Sequence, residues 1–259
     1  MAYIVLVALF AVYLIGPLIA TVLFSVGGGQ TPTLDYYRTT LSDGDLLSSL
    51  GHSLFVSVCA VVLAILLCVP TVYWVQVRAK WAAPFLEVLT LLPFATQGVI
   101  MTMGMFNVYG RRPLLLVQTP WILILSYTMI GIPFMYRAVG NGFAAFDVKN
   151  LEWAARTLGA GFWSTLRLVM IPNVLPALVN GAILAFSTAM AEFPLAVYLT
   201  GSSYMTFPVY INYAGGDNPR AGAVVSLLSF VITLGCSLVV LWAARRGRDE
   251  GAVVGAVAP

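Results

Sequence analysis

The chain has 259 residues, of which 60% are apolar and 9% charged, with a net charge of +3 and a mean hydropathy of +0.93. Soluble domains carry about a quarter charged residues, so there are too few polar groups here to cover a water-facing surface, and the chain belongs in a bilayer. The small positive charge, with no basic stripe interleaved with aromatics, argues against nucleic acid as a partner.

A hydrocarbon core about 30 Å thick needs about 20 apolar residues per spanning helix. Six stretches meet that need in chain order: Ile4–Val26, Leu54–Val75, Val88–Tyr109, Trp121–Tyr136, Val174–Leu199 and Ala221–Ala244. The predicted class is therefore an all-α integral membrane protein with six transmembrane helices. The first stretch holds 23 uncharged residues with no Lys or Arg before it, whereas a signal peptide has a basic start and an apolar core of about 7–15 residues. It reads as a retained span. The fourth stretch is short alone and is expected to begin near Leu115. His52 is read as a polar residue just outside the second helix, and Glu87 as a snorkelling or locally paired carboxylate near Arg78 and Lys80. Pro133, Pro176 and Pro194 are expected to kink their spans. Cys59, Cys68 and Cys236 lie in apolar runs with neither zinc nor disulfide spacing, so they read as small buried hydrophobes.

Lys and Arg in the connections set the orientation. With a cytoplasmic amino terminus, the inner segments hold nine: Arg78, Lys80, Arg137, Lys149, Arg156, Arg167, Arg245, Arg246 and Arg248. The outer loops hold four, Arg38, Arg111, Arg112 and Arg220. Both termini are accordingly expected inside, with one membrane domain over residues 1–248 and a disordered tail over 249–259.

The longest cytoplasmic connection, within residues 140–172, is patterned. Asp147 suits a helix N-cap and Gly159 a C′ residue. Between them Leu151, Ala154, Ala155 and Leu158 recur at i, i+3, i+4 and i+7, which makes one narrow apolar face with alanines at its centre. Glu152 and Arg156 are spaced i, i+4 and suit the two ends of the helix dipole. A second segment, Gly161–Leu168, is expected to end at Ile171-Pro172. Two readings fit: a helix lying on the lipid surface, or one whose apolar face needs a protein groove. The small alanines and scarce lysines favour the groove.

The run Glu152-Trp153-Ala154-Ala155-Arg156-Thr157-Leu158-Gly159, followed nine residues later by Val169-Met170-Ile171-Pro172, resembles the EAA loop of bacterial binding-protein-dependent ABC permeases. Other elements are similar across nearly the whole chain: Gly51-His52-Ser53-Leu54, Leu92-Pro93, Ile132-Pro133-Phe134, Ala191-Glu192-Phe193-Pro194, Thr200-Gly201 and Phe207-Pro208-Val209-Tyr210-Ile211. Within that family the later elements look most like the second permease of spermidine/putrescine importers, with phosphonate-type permeases close behind. The resemblance implies a type I importer permease fold in a bacterial inner membrane and a coupling helix that docks on a cytoplasmic ATPase. Asp147, Leu151, Glu152, Ala154, Ala155, Arg156, Gly159, Ile171 and Pro172 would form that coupling loop. It further implies a second permease, two ATPase subunits, an external substrate-binding protein and surrounding lipid as partners. One departure is that Trp153 stands where the family usually has an acidic residue. The chain has no G-x-x-x-x-G-K-[ST] run, so ATP and Mg are expected in the partner ATPase and no cofactor or metal on this chain.

Glu192, with Phe193, Pro194 and Tyr198 beside it, is the most informative ionisable residue inside a span. It reads either as lining the substrate path, which would suit a cation such as a polyamine, or as a carboxylate reaching the outer headgroups or a loop arginine. Tyr198, Tyr204, Tyr210 and Tyr213 read as an outer aromatic belt or as substrate contacts. Iron, thiamine, sulfate and molybdate are other solutes the resemblance allows. From another class, an ion-coupled secondary transporter would show repeated halves and midplane charges, which are not evident. An intramembrane hydrolase would need a nucleophile and base grouping that is also absent.

Overall fold

The computed structural model describes residues 2–27, 35–96, 98–112 and 115–255, and every regular element among them is helical. Helix α1 (Ala2–Val26) is followed by the short α2 (Asp35–Leu41) and by α3 (Gly44–Arg78). At 1.5 Å per residue α3 is about 52 Å long, far more than a span needs. It begins ten residues before the expected Leu54 because Asp43 caps it, its carboxylate accepting from the Asp45 N–H at 3.0 Å. His52 consequently lies inside a helix and not ahead of one.

The third predicted span is two helices, α4 (Ala83–Ala95) and α5 (Val99–Tyr109), meeting at 103°. The bend sits at Gly98, whose φ of +74° suits a residue without a Cβ. Helix α6 (Pro120–Ala144) opens on Pro120 and runs eight residues past the expected Tyr136. Helix α7 (Val148–Thr157) and α8 (Phe162–Thr165) follow. A π-helical turn (Leu166–Met170) then joins α8 to α9 (Ile171–Met190). Pro172 therefore does not end the second loop segment as expected. Its missing N–H is accommodated where the preceding turn has widened, and the backbone continues as helix from Phe162 to Met190.

The fifth predicted span breaks at Ala191–Phe193 before α10 (Pro194–Leu199), because Pro194 cannot donate back into the preceding turn. Helix α11 (Phe207–Asp217) and α12 (Pro219–Gly255) complete the chain. No proline interrupts residues 249–255, and α12 continues through them into the expected tail; residues 256–259 lie outside the described residues. Among the described residues four helical segments are long and apolar enough to cross a membrane, and the bent α4–α5 pair counted as one crossing makes five. Within α1, Ile15–Val26 is a shorter apolar segment.

Helix α6 is the axis of the bundle, packed along α3 on one side and α9 on the other. Glycines set the α6–α9 distance. A Cβ on Gly142 would fall 2.7 Å from the Ala177 Cβ, and one on Gly181 would fall 2.9 Å from the Ala138 Cβ. Two apolar cores are stacked along the axis. Val56, Met105, Ile122, Tyr127, Leu195 and Val209 belong to the outer one. Tyr73, Met135, Val139, Phe143, Met170 and Val174 belong to the inner one, which extends to Val148, Leu151 and Phe162 in the connection between α6 and α9.

Candidate functional site

The connection between α6 and α9 is compact because most of it is helix. Only residues 145–147 separate α6 from α7, and 158–161 separate α7 from α8. Asp147 caps α7: its carboxylate accepts from the Asn150 backbone N–H at 3.2 Å and from the Asn150 side-chain amide at 2.7 Å. At the other end, the Ala160 N–H reaches the Ala155 carbonyl at 3.0 Å and the Gly159 N–H reaches the Arg156 carbonyl at 2.9 Å. This is a Schellman closure, and Gly159 supplies the left-handed residue it requires at φ +82°.

The two faces of α7 differ sharply. Val148, Glu152 and Ala155 are buried and Leu151 half-buried; Val148 and Leu151 pack in the inner core, and α7 touches α3. Trp153 at 70% exposure and Leu158 at 88% stand outward with Ala154. The expected apolar face of Leu151, Ala154, Ala155 and Leu158 is thus divided. Ala155 packs within this chain at 7% exposure. The buried carboxylate of Glu152 is held by Arg156, one turn on, at 2.6 Å. Arg156 closes a groove with Arg78, Val77 and Trp153 above the end of α3. Ile171 packs on the inner core, and Pro172 lies exposed in the first turn of α9. Trp163 and Leu168, within the expected second segment Gly161–Leu168, also stand outward.

Glu192, Phe193, Pro194 and Tyr198 form no part of that constellation; they sit at the far end of the outer core. The Glu192 carboxylate accepts from the Leu195 N–H at 3.3 Å, capping α10, while its backbone carbonyl accepts from the Tyr127 hydroxyl at 3.1 Å. Phe193 packs on the outer core and Tyr198 is exposed. Of the outer tyrosines, Tyr213 is exposed and two are locked. Tyr204 stacks on His52 at 4.1 Å, where the His52 Nδ1–H donates to the Met205 carbonyl at 3.0 Å. Tyr210 donates to Asp43 at 2.5 Å. Burial, then that hydrogen bond and the charges of Asp43 and Asp45, hold the Tyr210 phenol well above its usual range. Among the described residues no group of three or more His, Cys, Asp or Glu is placed to hold a metal.

The profile of the family described as "Binding-protein-dependent transport system inner membrane component" matches residues 60–246, which include α7 and its flanking helices. The chain belongs to this family. It is an inner-membrane permease subunit of an ATP-binding-cassette importer, a transport component and not an enzyme, and it works with a substrate-binding protein. It is 27% identical over 216 residues to the spermidine/putrescine transport system permease protein PotC of Escherichia coli (strain K12), covering 80% of this chain and 79% of PotC. The molybdate/tungstate transport system permease protein WtpB of Pyrococcus furiosus is 24% identical over 230 residues, covering 88% of this chain and 90% of WtpB. In fold it matches a crystal structure of a bacterial ABC transporter involved in the import of the acidic polysaccharide alginate. The TM-score is 0.73 at 19% identity, over 93% of this chain and 94% of that one. The alginate transporter is also known in complex with a periplasmic protein carrying an alginate pentasaccharide, at a TM-score of 0.70 and 14% identity over 94% of this chain and 91% of that one.

Proposed function

We propose that this permease crosses the membrane six times with both termini in the cytoplasm, α1 and the bent α4–α5 pair each counting as one crossing. It pairs with a second permease, identical or homologous, and the solute passes between them. Two cytoplasmic ATPase subunits, which carry the ATP and Mg, engage the pair. The outward ridge of α7 is the element that docks on one of them. The observation that carries this reading is the two-faced character of α7: Trp153, Ala154 and Leu158 face outward while Val148, Glu152 and Ala155 are buried within the chain. A helix anchored in this way transmits a push on its outer face to α3, α6 and α9 through packed side chains, since close-packed interiors pass displacement on instead of absorbing it.

A lipid-lying helix accounts less well for the same residues, because its outer face would present several lysines beside the apolar ridge and α7 has only Lys149. Cross-linking tests the docking. A photo-reactive group placed at Leu158→Cys in the assembled importer is expected to capture the ATPase, with a yield that changes when ATP is added. Capture of lipid alone would return α7 to the membrane surface.

The solute is small and polar, delivered by an external binding protein. Likeness to PotC favours a polyamine and likeness to WtpB an oxyanion. The charge of the side chains along the path decides between them.

A further inference from the structure

Arg137 stands seven residues before the end of α6, a helix long and apolar enough to cross a membrane, and is exposed on the single chain. It has no hydrogen bond or ion pair among the described residues. It lines a groove between α6 and α9 with Asn141, one turn further along α6, and Asn180, facing it from α9; Phe134 and Leu184 are the apolar side chains beside them. Ala138 and Ala177 form the floor, where the glycine contacts bring the two helices together. No carboxylate lines the groove.

An unpaired guanidinium with two carboxamides is costly against lipid, and intramembrane charge is placed towards protein or water. Snorkelling would explain Arg137 alone, but it supplies no reason for Asn180 on a second helix, nine residues past the start of α9. Together these groups offer the fixed fork of Arg and two amide donors, with no negative charge in competition. That set matches a carboxylate, phosphate, phosphonate, sulfate or molybdate-type oxyanion. It repels an ammonium. The carboxylate that would have favoured a cation, Glu192, is engaged in capping α10.

We infer that the Arg137–Asn141–Asn180 groove is an oxyanion site on the transport path, and that the solute this permease carries bears an anionic group; the inference rests on the importer reading above. The site would hold the anion transiently on its way past α6 and α9.

The test uses the complete importer, with both permeases, ATPase and binding protein, in sealed vesicles. Uptake of labelled phosphate, 2-aminoethylphosphonate, sulfate, molybdate and spermidine is compared. The expected result is uptake of an oxyanion, reduced about tenfold or more by Arg137→Gln and partly kept by Arg137→Lys, as loss of a charge-assisted bond predicts. Asn180→Ala is expected to raise the KM for the same anion, with the second permease still copurifying in every variant. Uptake of spermidine alone, uptake of none of the oxyanions, or unchanged anion uptake by Arg137→Gln would each overturn the site. Loss of the second permease from Arg137→Gln would also overturn it, making the guanidinium part of the seam between permeases. A wild-type chain that retains no ATPase would instead sink the importer reading, so the two failures are distinguishable.

Discussion

Arg156 reaches back one turn of α7 to the Glu152 carboxylate at 2.6 Å, and the two differ in environment: Glu152 is 4% exposed while the Arg156 side chain is half open to water. The pair therefore belongs to the anchoring of the helix and not to its outer surface. Arg156→Ala would strand a buried carboxylate and is expected to cost roughly 1–3 kcal/mol, less than a fully buried pair because the guanidinium is solvated. Glu152→Gln with Arg156→Gln should cost less than the two single changes added together. Protease susceptibility across residues 145–161 of the solubilised chain, measured as a double-mutant cycle, checks this; strict additivity would contradict the pairing.

Ala155 and Leu158 separate the two faces. Ala155→Glu places a charge at a buried position one turn from the Glu152 carboxylate, so the expected outcome is a poorly folded chain with low membrane yield. Leu158→Asp alters only an exposed position and should leave folding intact. Thermal unfolding in detergent distinguishes them, and equal stability for both would mean that Ala155 is not packed within the chain.

Gly159 has φ +82° and open space around the position of a Cβ, so any penalty there comes from backbone alone. Gly159→Val should lose about 1–3 kcal/mol, whereas Gly159→Asn, which tolerates the left-handed region, should lose much less. Comparing the two by thermal unfolding checks the Schellman closure. Equal losses would point to a steric clash that the structure does not contain.

Glu192 is placed to cap a helix. Glu192→Gln keeps an oxygen acceptor for the Leu195 N–H and is expected to transport nearly as the wild type does, while Glu192→Ala should lose about 0.5–2 kcal/mol of stability. Abolished uptake by the Gln variant, with the chain still stable, would restore the carboxylate to the substrate path.

Local chemistry made part of this site readable in advance. The cap at Asp147, the left-handed Gly159 and the Glu152–Arg156 spacing follow from residues within one or two turns of each other. What faced where did not. The spacing of Leu151, Ala154, Ala155 and Leu158 says which positions are near neighbours on a helix, but not which edge of that stripe meets its own chain; Val148 and Phe162, contributed by the inner core, decide that. Proline gave a second misreading, because Pro172 can sit in a continuing helix once the turn before it is π-helical. The bend at Gly98 depends on a positive φ that hydropathy does not report. Arg137 counted only as an inside charge, since Asn180, which lines the same groove, lies on a helix more than thirty residues on.

The coupling role of α7 is tested most directly by copurification of the ATPase with the intact permease pair. Wild-type chain should retain the ATPase, and Trp153→Glu and Leu158→Asp should each release it while keeping the second permease and normal thermal stability. Full retention of the ATPase by both stable variants would contradict the account, because the outward ridge of α7 would then not be what the ATPase holds.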